Sequence, residues 1–276
     1  MTQATRLEVT ASDGHRFALL HVPARGTAQQ QVLWLPALGV AARHYLPLAQ
    51  ALALRGCSVV LLDWRGHGSS SLRAGRGQDW GYAELLQLDL PAALATAAAH
   101  GIVVDTLGGH SLGGQLAACS AGGINGLRRL WLVASGSPYW RSFPAPRGWL
   151  LPLAYTALPA IAGAVGHLPG HRLGFGGREA RGLIADWARV GRSGHYRIPA
   201  GVEQAMAGYT GQVHALSLAD DWLAPPSSLQ ALLAKLPAAS AQCDTLSATT
   251  LGTAANHFAW MRQPEAVANA LVKKFL

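Results

Sequence analysis

Gly109-His110-Ser111-Leu112-Gly113 fits the pattern Gly-x-Ser-x-Gly, and its flanks decide how the chain folds. An apolar stretch at residues 102–107 runs toward it, and Gly114-Gln115-Leu116-Ala117-Ala118 runs out of it as a helix expected over 112–120. A serine in so tight a strand–turn–helix is held at strained backbone angles, and the flanking glycines leave room for the turn to pack. The helix behind it aims its free N–H groups and positive dipole end at charge developing beside the serine. The pattern therefore reads as a nucleophile elbow. A glycine-rich turn with an incidental serine is the plainer alternative.

Working outward, the first half alternates strands and helices. Two short strands at 7–10 and 17–22 flank the turn Ser12-Asp13-Gly14, a hairpin signal. Apolar runs at 32–35, 58–62, 102–107 and 130–133 are expected strands, with helices at 44–55 and 82–100 between them. The rhythm breaks at about Ser137 and resumes with a strand at 213–218, a helix at 227–236, a strand at 245–251 and a helix at 264–275. Continuous apolar strands separated by helices imply an α/β fold, a mostly parallel central sheet with helices on both faces. Residues 1–136 and 201–276 would form the core, and 137–200 an inserted helical cap.

A serine needs a base to remove its proton. Of eleven histidines, His257 is preferred, because it lies between the last expected strand and the last helix. In a parallel sheet that loop opens on the same edge as Ser111. His67 follows a strand too and competes with it. His110 adjoins the serine and should point away, while His15, His21, His44 and His100 read as surface residues. The histidine in turn needs a carboxylate, and the strand at 213–218 ends in Asp220-Asp221. Asp221 is the choice and Asp220 the second, giving the chain order Ser…Asp…His.

Together these residues resemble the α/β-hydrolase fold over nearly the whole chain outside the insert. The resemblance implies a second oxyanion donor in the loop after an early strand. Here that loop reads Pro36-Ala37-Leu38-Gly39-Val40, with Pro-Ala where the family usually has His-Gly, so the Leu38 N–H would join that of Leu112. Asp63-Trp64-Arg65-Gly66-His67-Gly68-Ser69 looks like the family's Asp-x-Arg-Gly-x-Gly-x-Ser loop, which makes Asp63 a turn residue. Asn256-His257-Phe258 resembles the usual Gly-His-Phe. The combination is most similar to a bacterial subgroup of predicted serine hydrolases without an assigned substrate.

Composition narrows the rest. The 276 residues carry a net charge of +8, yet the basic residues form no dense block of a nucleic-acid-binding tail, so no nucleic-acid partner is expected. Three scattered cysteines exclude a disulfide framework and suit a reducing, cytoplasmic compartment. The first residues lack the apolar core of a signal peptide. Residues 148–166 lack a formal charge but contain Pro152 and Pro159, and they read as a buried or lid helix pair, not an integral membrane span. His167 and His171 are separated by Pro169-Gly170, which keeps one helical face from presenting both, so no metal is expected there. The insert holds eight arginines against Glu179 and Asp186, a net +6, and eight of the twenty aromatics. That mixture suits a substrate with an apolar acyl part and an anionic group, or else a solvated helical lid.

The expected activity is a serine hydrolase cleaving a small-molecule carboxylic ester or thioester without a cofactor. Ser111 would be the nucleophile, His257 the base, Asp221 its orienting acid, and the Leu38 and Leu112 N–H groups the oxyanion hole. An acyltransferase with the same residues, or a non-catalytic binding protein on this fold, are the rivals. Acyl chain, leaving group and oligomeric state are not legible in the residues.

Overall fold

The computed structural model describes residues 4–273. The chain opens with β1 (Thr5–Thr10), β2 (Arg16–Val22) and β3 (Gln30–Leu35), then α1 (Leu46–Ala53) and β4 (Cys57–Leu62). It continues through α2 (Tyr82–Glu84), a π-turn at Leu85–Asp89, α3 (Leu90–Ala99), β5 (Thr106–His110), α4 (Leu112–Ser120) and β6 (Arg129–Val133). The sheet has eight strands in the order β1-β2-β4-β3-β5-β6-β9-β10, where β9 is Gln212–Leu218 and β10 is Ser240–Leu246. The six strands from β4 to β10 run parallel, and the β1–β2 hairpin lies antiparallel along one edge.

Two-residue periodicity divides the central strands between two cores. Leu33, Leu35, Val60 and Leu62 pack on one face with Leu90, Ala93 and Leu116. Val32, Trp34, Val59 and Leu61 pack on the other with Leu48, Leu52 and Val267. The first face is thus covered by α3 and α4, and the second by α1 and by α11 (Glu265–Leu271). The last expected helix was to reach Phe275, and residues 274–276 lie outside the described residues.

Two strand positions differ from expectation. The strand expected at 102–107 is β5, displaced to Thr106–His110, which carries it straight into Ser111. The strand expected at 245–251 is β10 at Ser240–Leu246, and a short helix, α10 (Ala248–Leu251), takes the rest. Among the described residues β10 pairs only with β9, so as an edge strand it is largely exposed and reads polar.

Between β6 and β9 the chain leaves the sheet and forms the insert expected to be a lid. It comprises α5 (Arg147–Val165), β7 (Leu168–Pro169), α6 (Gly170–Leu173), β8 (Arg178–Glu179) and α7 (Arg181–Ser193); α8 (Val202–Ala207) then returns to the main core through Val202 and Met206. The expected helix pair is a single helix, α5, despite Pro152 and Pro159 inside it. Pro159 has no N–H for the Tyr155 carbonyl four residues back, and the Arg192 guanidinium of α7 donates to that carbonyl instead. The two helices approach closely because Gly191 faces the Tyr155 ring, where a Cβ would come within 2.5 Å. After β9 the chain forms α9 (Pro226–Leu233) before reaching β10.

Candidate active site

Ser111 stands at φ 54° and ψ −119° between β5 and α4. Among the described residues only Ser111 and Ala134 combine a side chain with positive φ, and both border the same cavity. Such angles are costly and persist only where the surroundings impose them. The glycines of the motif supply the surroundings. A Cβ on Gly109 would lie 2.3 Å from the Gly113 carbonyl carbon, and one on Gly113 would lie 2.0 Å from the Leu35 carbonyl oxygen. Bare backbone at both positions lets the start of α4 sit against the end of β3.

His257 lies in the loop before a 3₁₀ turn at Ala259–Arg262, and its Nδ1 is 2.7 Å from Asp221 Oδ2. The other carboxylate oxygen, Oδ1, accepts from the N–H groups of Leu223 (2.9 Å) and Ala224 (3.2 Å). Asp221 is buried at 4% exposure, while Asp220 is exposed. The acid is therefore held on both oxygens, and it leaves His257 Nε2 as the free ring nitrogen. Ser111, His257, Leu38 and Leu112 all line one cavity of about 400 Å³. Among the described residues no hydrogen bond joins Ser111 Oγ to His257. The N–H groups of Leu38 and Leu112 likewise meet no acceptor among the described residues.

The early loops fix the floor of the cavity. Asp63 Oδ1 accepts from the Ala42 N–H at 2.7 Å and Oδ2 from the Ser69 N–H at 2.9 Å, a turn-forming role away from the cavity. His67, the competitor for the base, bonds Glu179 of the lid at 3.0 Å and does not line the cavity. Beside it, Gly39 packs so closely on the lid backbone that a Cβ would lie 2.5 Å from the Gly177 nitrogen. His110 points away from Ser111, as expected. It is buried, with Nδ1 2.9 Å from Tyr45 Oη and its ring 4.9 Å from that of His257.

His15 departs from the surface position expected of it. It is buried, with Nδ1 2.8 Å from Asp89 and Nε2 2.9 Å from Ser70 Oγ. This is a Ser-His-Asp grouping built across loops too distant in sequence to be read together. Ser70 Oγ is itself buried and accepts from the Gly66 and Leu72 N–H groups, while Arg65 bonds Asp89. It ties the β1–β2 turn to the loop after β4 and presents no hydroxyl to a substrate. Among the described residues no three metal-ligating side chains gather.

The cavity wall is apolar. The lid contributes Leu151, Ala154, Tyr155, Leu158, Phe175 and Trp187, and no arginine lines it. The anionic group expected from the arginine content finds no guanidinium there. Arg178 bonds the Ala74 carbonyl, Arg189 bonds Asp186, and Arg147 lies over the Trp222 ring at the rim.

The sequence matches the model of the alpha/beta hydrolase family over residues 32–270. No curated protein matched it by sequence. Among solved structures it is similar to a hydrolase from Pseudomonas aeruginosa, with a TM-score of 0.66 and 18% identity, covering 97% of each chain. It is also similar to a carboxylesterase of the thaumarchaeon Nitrososphaera gargenis (0.64, 16%, 96% of each chain). A thermophilic esterase from Thermogutta terrifontis gives 0.63 at 18% identity, over 98% of this chain and 96% of that one. At such identities these likenesses speak for the fold.

Proposed function

The chain belongs to the alpha/beta hydrolase family, and from that premise we propose that it is a serine hydrolase cleaving a carboxylic ester or thioester through an acyl-enzyme. The observation that carries the reading is one cavity containing a strained Ser111 and a His257 whose far nitrogen is held by buried Asp221. Neutral His257 donates its Nδ1 proton to Asp221, so Nε2 is the acceptor that takes the Ser111 proton. Ser111 Oγ attacks the acyl carbonyl. The oxygen of the tetrahedral intermediate accepts from the Leu38 and Leu112 N–H groups, aided by the dipole of α4. His257 then protonates the departing alkoxide or thiolate. Water enters, gives a proton to His257 and attacks the acyl-enzyme; the acyl–Oγ bond breaks, His257 returns the proton to Ser111 Oγ, and the acid leaves. The acyl part rests against the apolar lid wall.

A fluorophosphonate probe tests the reading. One adduct mapped by mass spectrometry to Ser111, and absent in Ser111→Ala, is the expected result. Folded protein that remains unlabelled would refute it, and so would labelling at Ser70.

A further inference from the structure

The outer face of α5 is apolar, and nothing among the described residues covers it. Trp149 is 72% exposed, Leu150 64% and Leu153 71%, and Ala157, Ala160, Ile161, Ala164 and Val165 continue the face to the helix end. No charged residue follows Arg147 in the helix. A surface helix of a globular protein ordinarily turns charged and polar side chains outward. Here both sides are apolar, because the inner stripe of Leu151, Ala154, Tyr155 and Leu158 lines the cavity.

The charges at the two ends of this face are basic, and Asp79, on the loop of Arg76, is paired with Arg181. Both acids of the lid are buried: Glu179 bonds His67 and the Gly177 N–H, and Asp186 bonds Arg189 and the Tyr82 N–H. Arg141 and Arg147 stand exposed at the N-terminal end of α5. Arg172 stands exposed beyond its C-terminal end, and Arg76 donates there to the Ala164 carbonyl. Exposed arginines thus stand at both ends of a stripe of tryptophan and leucine. A second copy docking here would bring two such positive lids together.

We propose that this face docks the protein on the surface of an anionic phospholipid membrane, with Trp149, Leu150 and Leu153 in the interfacial layer and the arginines among the headgroups. Among the described residues α5 is the one helix long and apolar enough to cross a membrane. Its inner stripe is committed to the cavity and to α7, so it lies along the surface. Arg147 over Trp222 joins this face to the cavity rim, where Trp222, Phe258 and Leu173 are both exposed and cavity-lining. Docking would thus bring the cavity mouth to the lipid. Vesicle binding is measured without turnover, so its outcome is independent of the hydrolase reading.

The test is flotation of the full chain with phosphatidylcholine vesicles, with and without about 30 mol% phosphatidylglycerol. Binding should be at least about tenfold stronger with the anionic lipid and should fall when salt rises to about 0.5 M. Trp149→Ser/Leu150→Ser/Leu153→Ser should lose about tenfold or more, and Arg141→Gln/Arg147→Gln/Arg172→Gln should lose the preference for anionic lipid. All six side chains lie outside the cavity lining, so hydrolysis of a short soluble ester serves as the control for folding. Wild-type protein that stays with the unbound fraction at low salt would overturn the proposal without any variant. So would a triple-serine variant that floats as well as wild type, or a wild-type dimer that this variant converts to monomer.

Discussion

Tyr45 Oη lies 2.9 Å from His110 Nδ1 and accepts the Ala37 N–H at the same distance. One buried hydroxyl thereby ties the residue before Leu38 to the residue before Ser111. Because it accepts from Ala37, its own proton goes to His110. Tyr45→Phe keeps the ring but strands a buried N–H and a buried ring nitrogen, at about 1–3 kcal/mol of stability. If the Leu38 N–H helps hold the oxyanion, loosening its loop lowers kcat by about tenfold, a loss of about 1.4 kcal/mol, with KM little changed. Urea denaturation and steady-state kinetics on a p-nitrophenyl ester measure the two effects. A variant with lower stability and unaltered kcat would confine Tyr45 to a structural role.

The carboxylate assignment separates two neighbours by one residue. Asp221→Asn presents an amide to His257 Nδ1 and favours the wrong tautomer, so kcat is expected to fall by about 10⁴. Asp220 is exposed, and Asp220→Asn should stay within about twofold of wild type. The reverse order in the same assay would move the acid to Asp220.

Much of the candidate site is legible in the sequence because its parts are local. Ser111 is announced by glycines whose missing Cβ atoms the turn requires, and Asp221 and His257 each follow a strand of the expected parallel sheet. What was not legible depends on partners distant in sequence. His15 reads as a surface residue because Asp89 and Ser70, which bury it, come from other loops. The pairing of Tyr45 with His110 spans 65 residues. Pro159 ought to divide α5, and only Arg192, on another helix, shows how the orphaned Tyr155 carbonyl is satisfied. The cap arginines mark a charged lid in sequence, but composition alone cannot say that they face outward. β10 escapes its expected place because an exposed edge strand lacks the apolar run that marks its inner neighbours.

His110 makes stability depend on pH. Burial, with the neighbouring His257 adding to it, holds its pKa well below the ordinary 6.5. Its Nδ1 accepts the Tyr45 proton, so the neutral ring already carries its own proton on Nε2, and a second proton on Nδ1 would break the bond to Tyr45. The unfolded chain takes up that proton near pH 6.5 while the folded protein does not. The stabilising contribution is full above pH 6.5 and is lost as pH falls below it, at about 1.4 kcal/mol per unit for this one group. His110→Asn keeps an acceptor near the Nδ1 position and removes the titration. It should be less stable at pH 7.5 yet lose less between about pH 6.5 and 5 than wild type. Equal slopes in urea denaturation across that range would show that His110 is not the titrating group.

The cavity wall makes an expectation about substrate that separates acyl length from charge. Each methylene it receives is worth about 0.8 kcal/mol, so kcat/KM should rise about fourfold per added carbon until the space is filled. Ala154 lines that space, and Ala154→Trp should move the optimum to shorter chains while sparing the acetate ester. A carboxylate at the far end of the acyl chain meets no arginine in the wall and loses its hydration there. The carboxylate-ended ester should therefore be the poorer substrate against a neutral ester of equal length. Comparable kcat/KM for the two would mean that a lid arginine reaches into the cavity during turnover.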